Sequence, residues 1–354
     1  MSLLPAAGLL GVGSFAGIHP VLLVALACGL DQLVGDPPWC LHPVVVMGGV
    51  ISRLRRWAEA WAGDRPRRLR LAGGLITLLL VGGSGLAGWG LERLALGLSL
   101  HGVSALLLLI ALASALAGRS LAQAVRAVLA ALAAADLPLA RQRLSWIVGR
   151  DTDRLDGPGI LRAAAETASE NAVDGLFAPL FWMLVGAGLW SSGALQAPGP
   201  LALAWGFKAA STLDSMLGYR RGRLRWLGTA GARLDDLLVW LPCRLVALGL
   251  PLIAGAPPAA AWRQFRAACR DGAPDPSPNA GLSQAAYAHA AGVRLGGLNH
   301  YGGEQRAKPA LAADQPPADA AAVERILALT ARLQVLWLAV ALMLFRSVAM
   351  LLAQ

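Results

Sequence analysis

Apolar residues in this chain come in long blocks rather than in short alternating runs. The blocks lie at about 18–35, 71–91, 102–118, 173–190, 200–217, 236–256 and 333–353. A membrane-spanning helix needs roughly 20 mostly apolar residues to cross a hydrocarbon core about 30 Å thick. The stretches 71–91 (LAGGLITLLLVGGSGLAGWGL), 102–118 and 333–353 are the cleanest of these. The others hold polar residues: Asp31 near the end of the first, Lys208 in the fifth, and Arg244 with Pro242 and Pro251 in the sixth.

Arginine fills the intervals. Residues 51–70 hold seven Arg, 119–165 seven, 218–235 five, and 257–332 seven together with Lys308. Basic loops stay on the cytoplasmic side, so 51–70, 119–170, 218–235 and 257–332 are expected there. Loops on one face must be separated by an even number of crossings. The pair 71–91 and 102–118 satisfies this, as does the pair 173–190 and 200–217. Block 236–256 stands alone between two basic loops, so it reads as a re-entrant or interfacial helix covered by protein.

Within the cytoplasmic segments, Leu121, Val125, Val128, Leu129 and Leu132 share one helical face of 119–135. Asp136 is placed to cap a second helix, 137–148, with Pro138 in its first turn. The Pro/Ala-rich stretches 257–281 and 307–322 are expected to be irregular, and no run alternates as a strand does. The pattern predicts an all-α polytopic integral membrane protein: about six transmembrane helices, one re-entrant or interfacial helix, and cytoplasmic helices and loops. It is expected to form a single membrane-embedded domain over 1–354, with both termini on the far side.

Composition agrees. The 354 residues are 56% hydrophobic and 15% charged, and mean hydropathy is +0.56. Soluble domains average about 45–50% apolar and about 25% charged. Disorder is excluded by this hydrophobicity. A disulfide scaffold is excluded because the four cysteines, Cys28, Cys40, Cys243 and Cys269, form no CxxC and no cluster. The net charge of +10 reads as loop arginine that orients the chain in a membrane and not as a nucleic-acid surface. The first 18 residues carry no charge, so the basic start of a secretory leader is missing.

Candidate chemistry gathers in five places. Asp31, Asp36 and His42 lie at the end of the first block. An interfacial turn explains Asp36 and His42, but Asp31 sits inside an apolar run, where an ionisable group is costly and usually functional. The second group is Arg150, Asp151 and Asp153, then Glu166, Glu170, Asn171 and Asp174. The three carboxylates at 166, 170 and 174 stack at i, i+4 and i+8, where like charges repel. A bound cation or a cationic partner relieves that repulsion, and Mg²⁺ needs only one or two carboxylates beside phosphate oxygens. An acidic surface paired with arginine is the plainer alternative.

The third place holds Lys208, Thr212, Asp214 and Tyr219; Lys208 suits an anionic partner or a snorkelling position equally. The fourth holds Arg233, Asp235, Asp236 and Arg244, a metal or ion-pair cluster or simply a helix start. The fifth holds Asn279, Arg294, Asn299, Tyr301, Glu304 and Lys308 in a Gly-rich stretch able to approach a large ligand closely. No P-loop, HExxH or GxSxG is present. The run Gly8-Leu-Leu-Gly11-Val-Gly13 lacks the context of a dinucleotide site, and the five histidines (19, 42, 101, 289 and 300) show no metal spacing.

Six motifs stand in a fixed order: DQLVGDPPWCLHPV at 31–44, IVGRDTDRL at 147–155, ETASENAVDGLFAPLF at 166–181, KAASTLDSMLGY at 208–219, GTAGARLDDLLVWLPCR at 228–244, and SPNAG with GVRLGGLNHYGGE within 277–304. Together they closely resemble the CobD/CbiB family of cobalamin biosynthesis, over about residues 20–310. One departure is 282–291 (LSQAAYAHAA), where Tyr287 and His289 stand in a segment expected to be mostly Met and Ala. The resemblance implies an amide synthase that joins aminopropanol, or its O-phosphate, to the free propionate of adenosylcobyric acid.

It further implies ATP and Mg²⁺, an inner-membrane location with the site facing the cytoplasm, lipid contact, and a homo-oligomer or a complex with other corrinoid-assembly enzymes. On that reading Glu166, Glu170 and Asp174, with Asp235 or Asp236, hold Mg²⁺–ATP, with Glu170, Asp174, Asp235 and Asp236 as the metal set. Lys208, Arg150 and Arg294 contact phosphates, and Asp214 or His42 takes the amine's proton. Asn279, Asn299 and Tyr301 hold corrin amides. Asp31, Asp36, Asp151, Asn171, Thr212, Tyr219, Arg233, Arg244, Glu304 and Lys308 complete the expected substrate and ATP contacts. The alternatives are a Mg²⁺-dependent intramembrane transferase acting on an isoprenoid diphosphate and a non-enzymatic transporter or sensor. A transporter expects internal repeats, and the sequence shows none.

Overall fold

The computed structural model describes residues 18–37, 42–98 and 101–352. The uncharged start of the chain before residue 18, and Trp39 and Cys40 of the first motif, lie outside them.

Helices dominate. In chain order they are α1 (Pro20–Val34), α2 (Pro43–Ala62), α3 (Pro66–Gly97), α4 (His101–Ala113), α5 (Gly118–Ala133), α6 (Leu137–Ser145) and α7 (Gly157–Ala172). A π-helical turn, Val173–Phe177, joins α7 to α8 (Ala178–Ser191). There follow α9 (Pro200–Leu217), the single turn α10 (Leu224–Leu227), α11 (Thr229–Ile253), α12 (Pro258–Gly272) and α13 (Ala280–Ala291). A hairpin of β1 (Leu295–Tyr301) and β2 (Glu304–Leu311) precedes α14 (Ala320–Leu352).

Proline at the first position starts α1, α2, α3, α9 and α12; its fixed φ suits a helix and its missing N–H is one the helix would leave unbonded anyway. Asp136 accepts from the Leu139 N–H at 2.9 Å and so caps α6 as the sequence predicts. Val125, Val128 and Ala131 are the residues of α5 that become buried.

The all-α, polytopic membrane class stands. Among the described residues, four helices are long and apolar enough to cross a membrane: Pro66–Gly97, Gly157–Ser191, Thr229–Ile253 and Ala320–Leu344. A fifth exists if Gly102–Ala113 and Gly118–Ala133, bent by 42°, are one broken span. Helix α1, at 15 residues, is short for a crossing, and α9 is not among the qualifying helices.

Block 236–256, expected to be re-entrant or interfacial, falls in one of the four as far as Ile253. Its prolines do not break it. Pro242 has no N–H for the Leu238 carbonyl four residues earlier, and the Trp182 indole N–H donates to that carbonyl instead, at 3.2 Å. Pro179 is similarly accommodated directly after the π turn, a usual place for a helix to absorb a missing donor. Two local expectations also change: 258–272, expected to be irregular, is helix α12, and 51–70 is mostly helix rather than loop. The hairpin is the one departure from helix among the described elements.

The chain forms two compact units. The first comprises residues 1–117, 178–238 and 337–354; the second comprises 118–177 and 239–336. In the first, α3 packs on α9 at near-contact of the backbones: a Cβ on Gly88 would lie 2.8 Å from the Ala202 Cα. Glu92 on α3 is fully buried, and its carboxylate accepts from the N–H groups of Gly199 (2.9 Å), Leu201 (2.7 Å) and Ala202 (3.2 Å). Helix α9 has a glycine at its own cap position and a proline after it. A residue 107 positions earlier therefore supplies the cap that the local sequence lacks.

In the second unit, Val128, Ala131, Ala140, Leu144, Ile160, Ala163 and Ala164 join α5, α6 and α7 in one core. The two residues that depart from the family pattern both serve as ties for α13. The Tyr287 hydroxyl meets the Thr330 hydroxyl of α14 at 2.7 Å, and His289 Nε2 lies 2.8 Å from Asp271 Oδ2 of α12.

Glu92→Ala leaves three buried N–H groups without an acceptor, at a cost on the order of 3 kcal/mol. Thermal unfolding of the detergent-solubilised protein is expected to shift down for Glu92→Ala, with Glu92→Gln, which keeps one carbonyl acceptor, in between.

Candidate functional site

The polar motifs of the second unit converge where α7 meets the hairpin. Helix α7 carries three buried alanines in succession, Ala163, Ala164 and Ala165, just before Glu166. Glu166 itself has 0% exposure. A carboxylate so placed needs compensating charge and donors from the protein. Arg150 Nη2 lies 2.5 Å from Oε2 with only 7% of its side chain exposed, and the Gly296 N–H donates to Oε1 at 2.8 Å. Arg162, one turn earlier on α7, approaches Oε1 at 3.9 Å.

The same two arginines reach the hairpin. Arg150 Nη1 donates to Asn299 Oδ1 at 2.7 Å, and Arg162 Nη2 donates to the Leu298 carbonyl at 2.7 Å and to Asn299 Oδ1 at 3.4 Å. Asn299 is 1% exposed, and its Nδ2 has no acceptor among the described residues.

The hairpin is built for this placement. Gly302 (φ +61°) and Gly303 (φ +82°) form its two-residue turn, the backbone that the primed hairpin turns require. Both N–H groups donate to the Asp151 carboxylate, at 3.0 and 2.8 Å, and the Asp151 N–H donates to the His300 carbonyl at 2.9 Å. These donors hold the Asp151 carboxyl below the usual carboxylate range. Gly296 (φ +85°) sits at a register shift between Leu295 and Gly297. A Cβ there would lie 1.9 Å from the Pro309 carbonyl oxygen.

Register then sets the lysine. Gly297 pairs with Lys308 across the hairpin, and Lys308 Nζ lies 3.4 Å from Asp275 Oδ2. Burial pulls the Lys308 ammonium down, but the fields of Glu170 and Asp275, with Tyr301 and Glu166, outweigh it and hold its pKa above the ordinary lysine value. Glu170 accepts from the buried Gln284 amide at 2.7 Å. Thr167 donates to the Ile147 carbonyl at 2.6 Å, and Asn171 donates to the Thr167 hydroxyl at 2.8 Å.

Of the sequence-predicted residues, then, Arg150, Asp151, Glu166, Glu170, Asn299, Tyr301 and Lys308 are brought together, with Asn171 beside them. The carboxylate ladder is relieved at its first rung by arginine. Asp174 falls in the π turn, partly exposed. Arg244 and Asn279 form a separate contact, Nη1 to Oδ1 at 2.5 Å, with Arg244 also donating to the Trp240 and Pro278 carbonyls. Arg294 is exposed, and Glu304 pairs only with Arg306, at 3.4 Å.

The remaining predicted residues belong to the first unit. Asp31 is buried near the end of α1. His42 caps α2, accepting from the Val44 N–H at 3.3 Å through Nδ1, while its Nε2 lies 3.2 Å from Asp36. Thr212 donates to the Lys208 carbonyl one turn earlier on α9. Asp214 lies against Gly218, where a Cβ would meet its carboxylate at 2.0 Å, and Tyr219 stacks with Arg221. On α11, Arg233 is exposed, Asp235 buried and Asp236 half-buried.

No group of three or more His, Cys, Asp or Glu among the described residues gathers closely enough to hold a metal ion. Glu170 and Asp174 nonetheless suit Mg²⁺ as hard oxygen donors, since one or two carboxylates suffice where phosphate completes the shell.

Sequence reasoning missed Arg162, Asp275, Gln284 and Gly296. Arg162 was open to detection, because it stands four residues before Glu166; the others act on partners far away in the chain.

Glu166→Gln keeps the volume but removes the counterion of a buried arginine, which costs about 3–5 kcal/mol; a lowered unfolding temperature in detergent checks it. Asp151→Asn is expected to speed hydrogen exchange at the Gly302 and Gly303 amides. Because the Asp151 pKa is lowered on folding, its contribution is complete above about pH 4 and fades as pH falls through the lowered value. The parent's protection, corrected for intrinsic exchange, should follow that course.

A family model described as CobD/Cbib protein matches residues 24–330. The chain is 42% identical over 297 residues to the cobalamin biosynthesis protein CobD of Synechocystis sp. (83% of each chain). It is 40% identical over 293 residues to the cobalamin biosynthesis protein CbiB of Salmonella typhimurium (82% of this chain, 86% of that one). It is 41% identical over 305 residues to the CobD protein of Geobacter metallireducens (85% and 89%). No solved structure matches. With its motifs in order and its relatives matched over most of their length, the chain belongs to the CobD/CbiB family of cobalamin biosynthesis proteins.

Proposed function

We propose that the protein is an acid–amine ligase that joins aminopropanol or aminopropanol phosphate to the free propionate carboxyl of adenosylcobyric acid at the expense of ATP. The observation that carries the reading is the gathering of the family's own motif residues, Arg150, Glu166, Glu170 and Asn299, with Lys308 beside them, into one polar network on a chain of this family.

Amide formation from a carboxylate and an ammonium is uphill in water, so the carboxylate must be activated. The carboxylate oxygen attacks the γ-phosphorus, the bond to ADP breaks, and an acyl phosphate forms. The neutral amine then attacks the acyl carbon, loses a proton to a base, and phosphate leaves. Each step accumulates charge on phosphoryl and acyl oxygens, which fixed cations stabilise better than water can.

Lys308, kept charged by its acidic neighbours, is suited to phosphate contact, as is exposed Arg294; Lys208 is the further lysine of the expected phosphate set. Arg150 is committed to Glu166 and Asn299, so its part is to hold the hairpin in place. Glu166, with its oxygens taken by protein groups, is a positioning residue in the same sense. Mg²⁺ bound by Glu170 and Asp174 would supply charge neutralisation at the phosphates; Asp235 and Asp236 are the further carboxylates of the expected set. Asp214 and His42 are the two candidates for the base. Asn279, Asn299 and Tyr301 suit corrin amides, which both donate and accept hydrogen bonds.

One observation favours a second reading. The first unit contains an apolar cavity of about 540 Å³, lined among others by Leu30, Leu94, Leu107 and Ile110, with Trp205 and His42 at its wall. A transferase of isoprenoid diphosphates needs apolar space for its substrate's chain. Family membership weighs the other way, since the relatives are named for cobalamin biosynthesis.

The test uses detergent-purified protein with adenosylcobyric acid, Mg²⁺–ATP and either amine, followed by mass spectrometry of the corrinoid. An ATP-dependent mass gain matching the amide is expected with one amine; folded protein that gives none with either amine, but consumes an isoprenoid diphosphate, overturns the reading. Lys308→Ala and Glu170→Ala are expected to lower turnover by about 10²-fold. Near-normal turnover of Glu170→Ala and Asp174→Ala at limiting Mg²⁺ removes the metal assignment alone.

A further inference from the structure

Helix α12 presents a face that the proposed reaction does not use. It follows α11, a helix long and apolar enough to cross a bilayer, and begins at Pro258. Five Cα–Cα steps separate Ile253 from Pro258, so α12 starts within about 18 Å of the end of α11. A helix tethered that closely to a membrane-spanning segment begins in or beside the headgroup layer.

The two sides of α12 differ in chemistry. Ala261, Ala268 and Gly272 are buried, and a Cβ on Gly272 would lie 2.5 Å from the Gly281 carbonyl carbon of α13. Trp262, Arg263, Arg266, Cys269 and Arg270 are all exposed, and at helical spacing they occupy about a third of the circumference on the opposite side. Trp262 is 55% exposed and stacks on Phe265 with ring centroids 5.4 Å apart.

The helix's lone carboxylate, Asp271, turns mainly inward. Its Oδ2 lies 2.8 Å from His289 Nε2 and accepts from the Ala312 N–H, while Arg270 approaches Oδ1 at 3.4 Å. The outward face is therefore cationic and aromatic, and among the described residues only Arg270 of its three arginines pairs with an acid, Asp271.

We propose that α12 is an interfacial helix whose Trp262, Arg263, Arg266 and Arg270 dock onto anionic phospholipid headgroups of the membrane that holds the chain. The indole has an apolar body and an N–H donor, the combination that favours the headgroup level. The guanidinium groups pair with phosphate in a fork that matches its oxygens, and basic side chains near an anionic leaflet gain from its surface potential. An exposed stacked Trp–Phe pair facing bulk water would gain nothing comparable. The inference rests on the membrane placement of α11 and is independent of the reaction proposed above.

The full chain supplies its own probe site. Cys269 is exposed on this face, whereas Cys28 and Cys243 are buried, so a Cys40→Ser background directs an environment-sensitive fluorophore to Cys269. The labelled protein is placed in nanodiscs of phosphatidylcholine alone or mixed with phosphatidylglycerol, each doped with headgroup-nitroxide lipid as quencher. Quenching is expected to be at least about twofold stronger with phosphatidylglycerol, and to fall back to the phosphatidylcholine level in R263Q/R266Q/R270Q. Equal quenching in the two lipids overturns the recognition of anionic headgroups, and no quenching in either overturns the docking itself. The comparison of lipids needs no variant, so a folding defect in the triple substitution does not affect it. Trp262→Ala is a second check, expected to reduce quenching in both lipids.

Discussion

An ion pair shut away from water, Arg150 with Glu166, sets the geometry of the second unit. Moving two charges out of water costs several kcal/mol apiece, and only near-complete hydrogen bonding repays it. That demand is what organises the site. Glu166 must find a further donor and takes the Gly296 N–H; Arg150 must place its remaining N–H groups and takes Asn299. Both partners lie on β1, so matching one ion pair fixes the strand against α7. The strand then fixes Lys308 through its pairing with Gly297, and so decides which lysine stands among Glu170 and Asp275.

The first unit solves a related problem in the same way. Its longest helix, α3, carries one carboxylate in its apolar interior, and Glu92 spends every oxygen on the start of α9. The Trp182 indole does the corresponding service for the carbonyl that Pro242 leaves open. Each is a polar group at apolar depth matched by a partner inside the protein, since no water is at hand to replace it. In a chain with 15% charged residues, the fully buried Glu92 and Glu166 each mark a junction between elements.

The same logic separates positions that resemble one another in sequence. Glu166 and Glu170 are one helical turn apart and look equivalent as members of a carboxylate ladder. Glu166 is enclosed by arginine and a backbone N–H, whereas Glu170 has one protein partner and remains partly exposed. The ladder thus divides into a fully buried rung that builds the fold and two rungs that are only partly buried. Tyr287 and His289, conspicuous in the sequence as departures from the family pattern, are consumed in tying α13 to α14 and α12.

Much of this was legible beforehand. Long apolar blocks and arginine-rich intervals determine the membrane class, because burial in lipid is a sum over neighbouring residues. Asp136 as a cap and the 119–135 helix follow from spacing within a few residues. The family motifs named most of the residues that meet at α7 and the hairpin. The hairpin itself went unread although Tyr301-Gly302-Gly303-Glu304 marks its turn, since β1 and β2 lack alternation and are held by helices, β1 by α7 and β2 by α12 and α13. What only the tertiary structure decided is which polar residues are used up in the fold and which stay open. Glu166 meets Gly296 across 130 positions of chain and Glu92 meets Gly199 across 107; a partner at that distance leaves no local trace, because it is chosen by the packing of helices and not by the residues beside it.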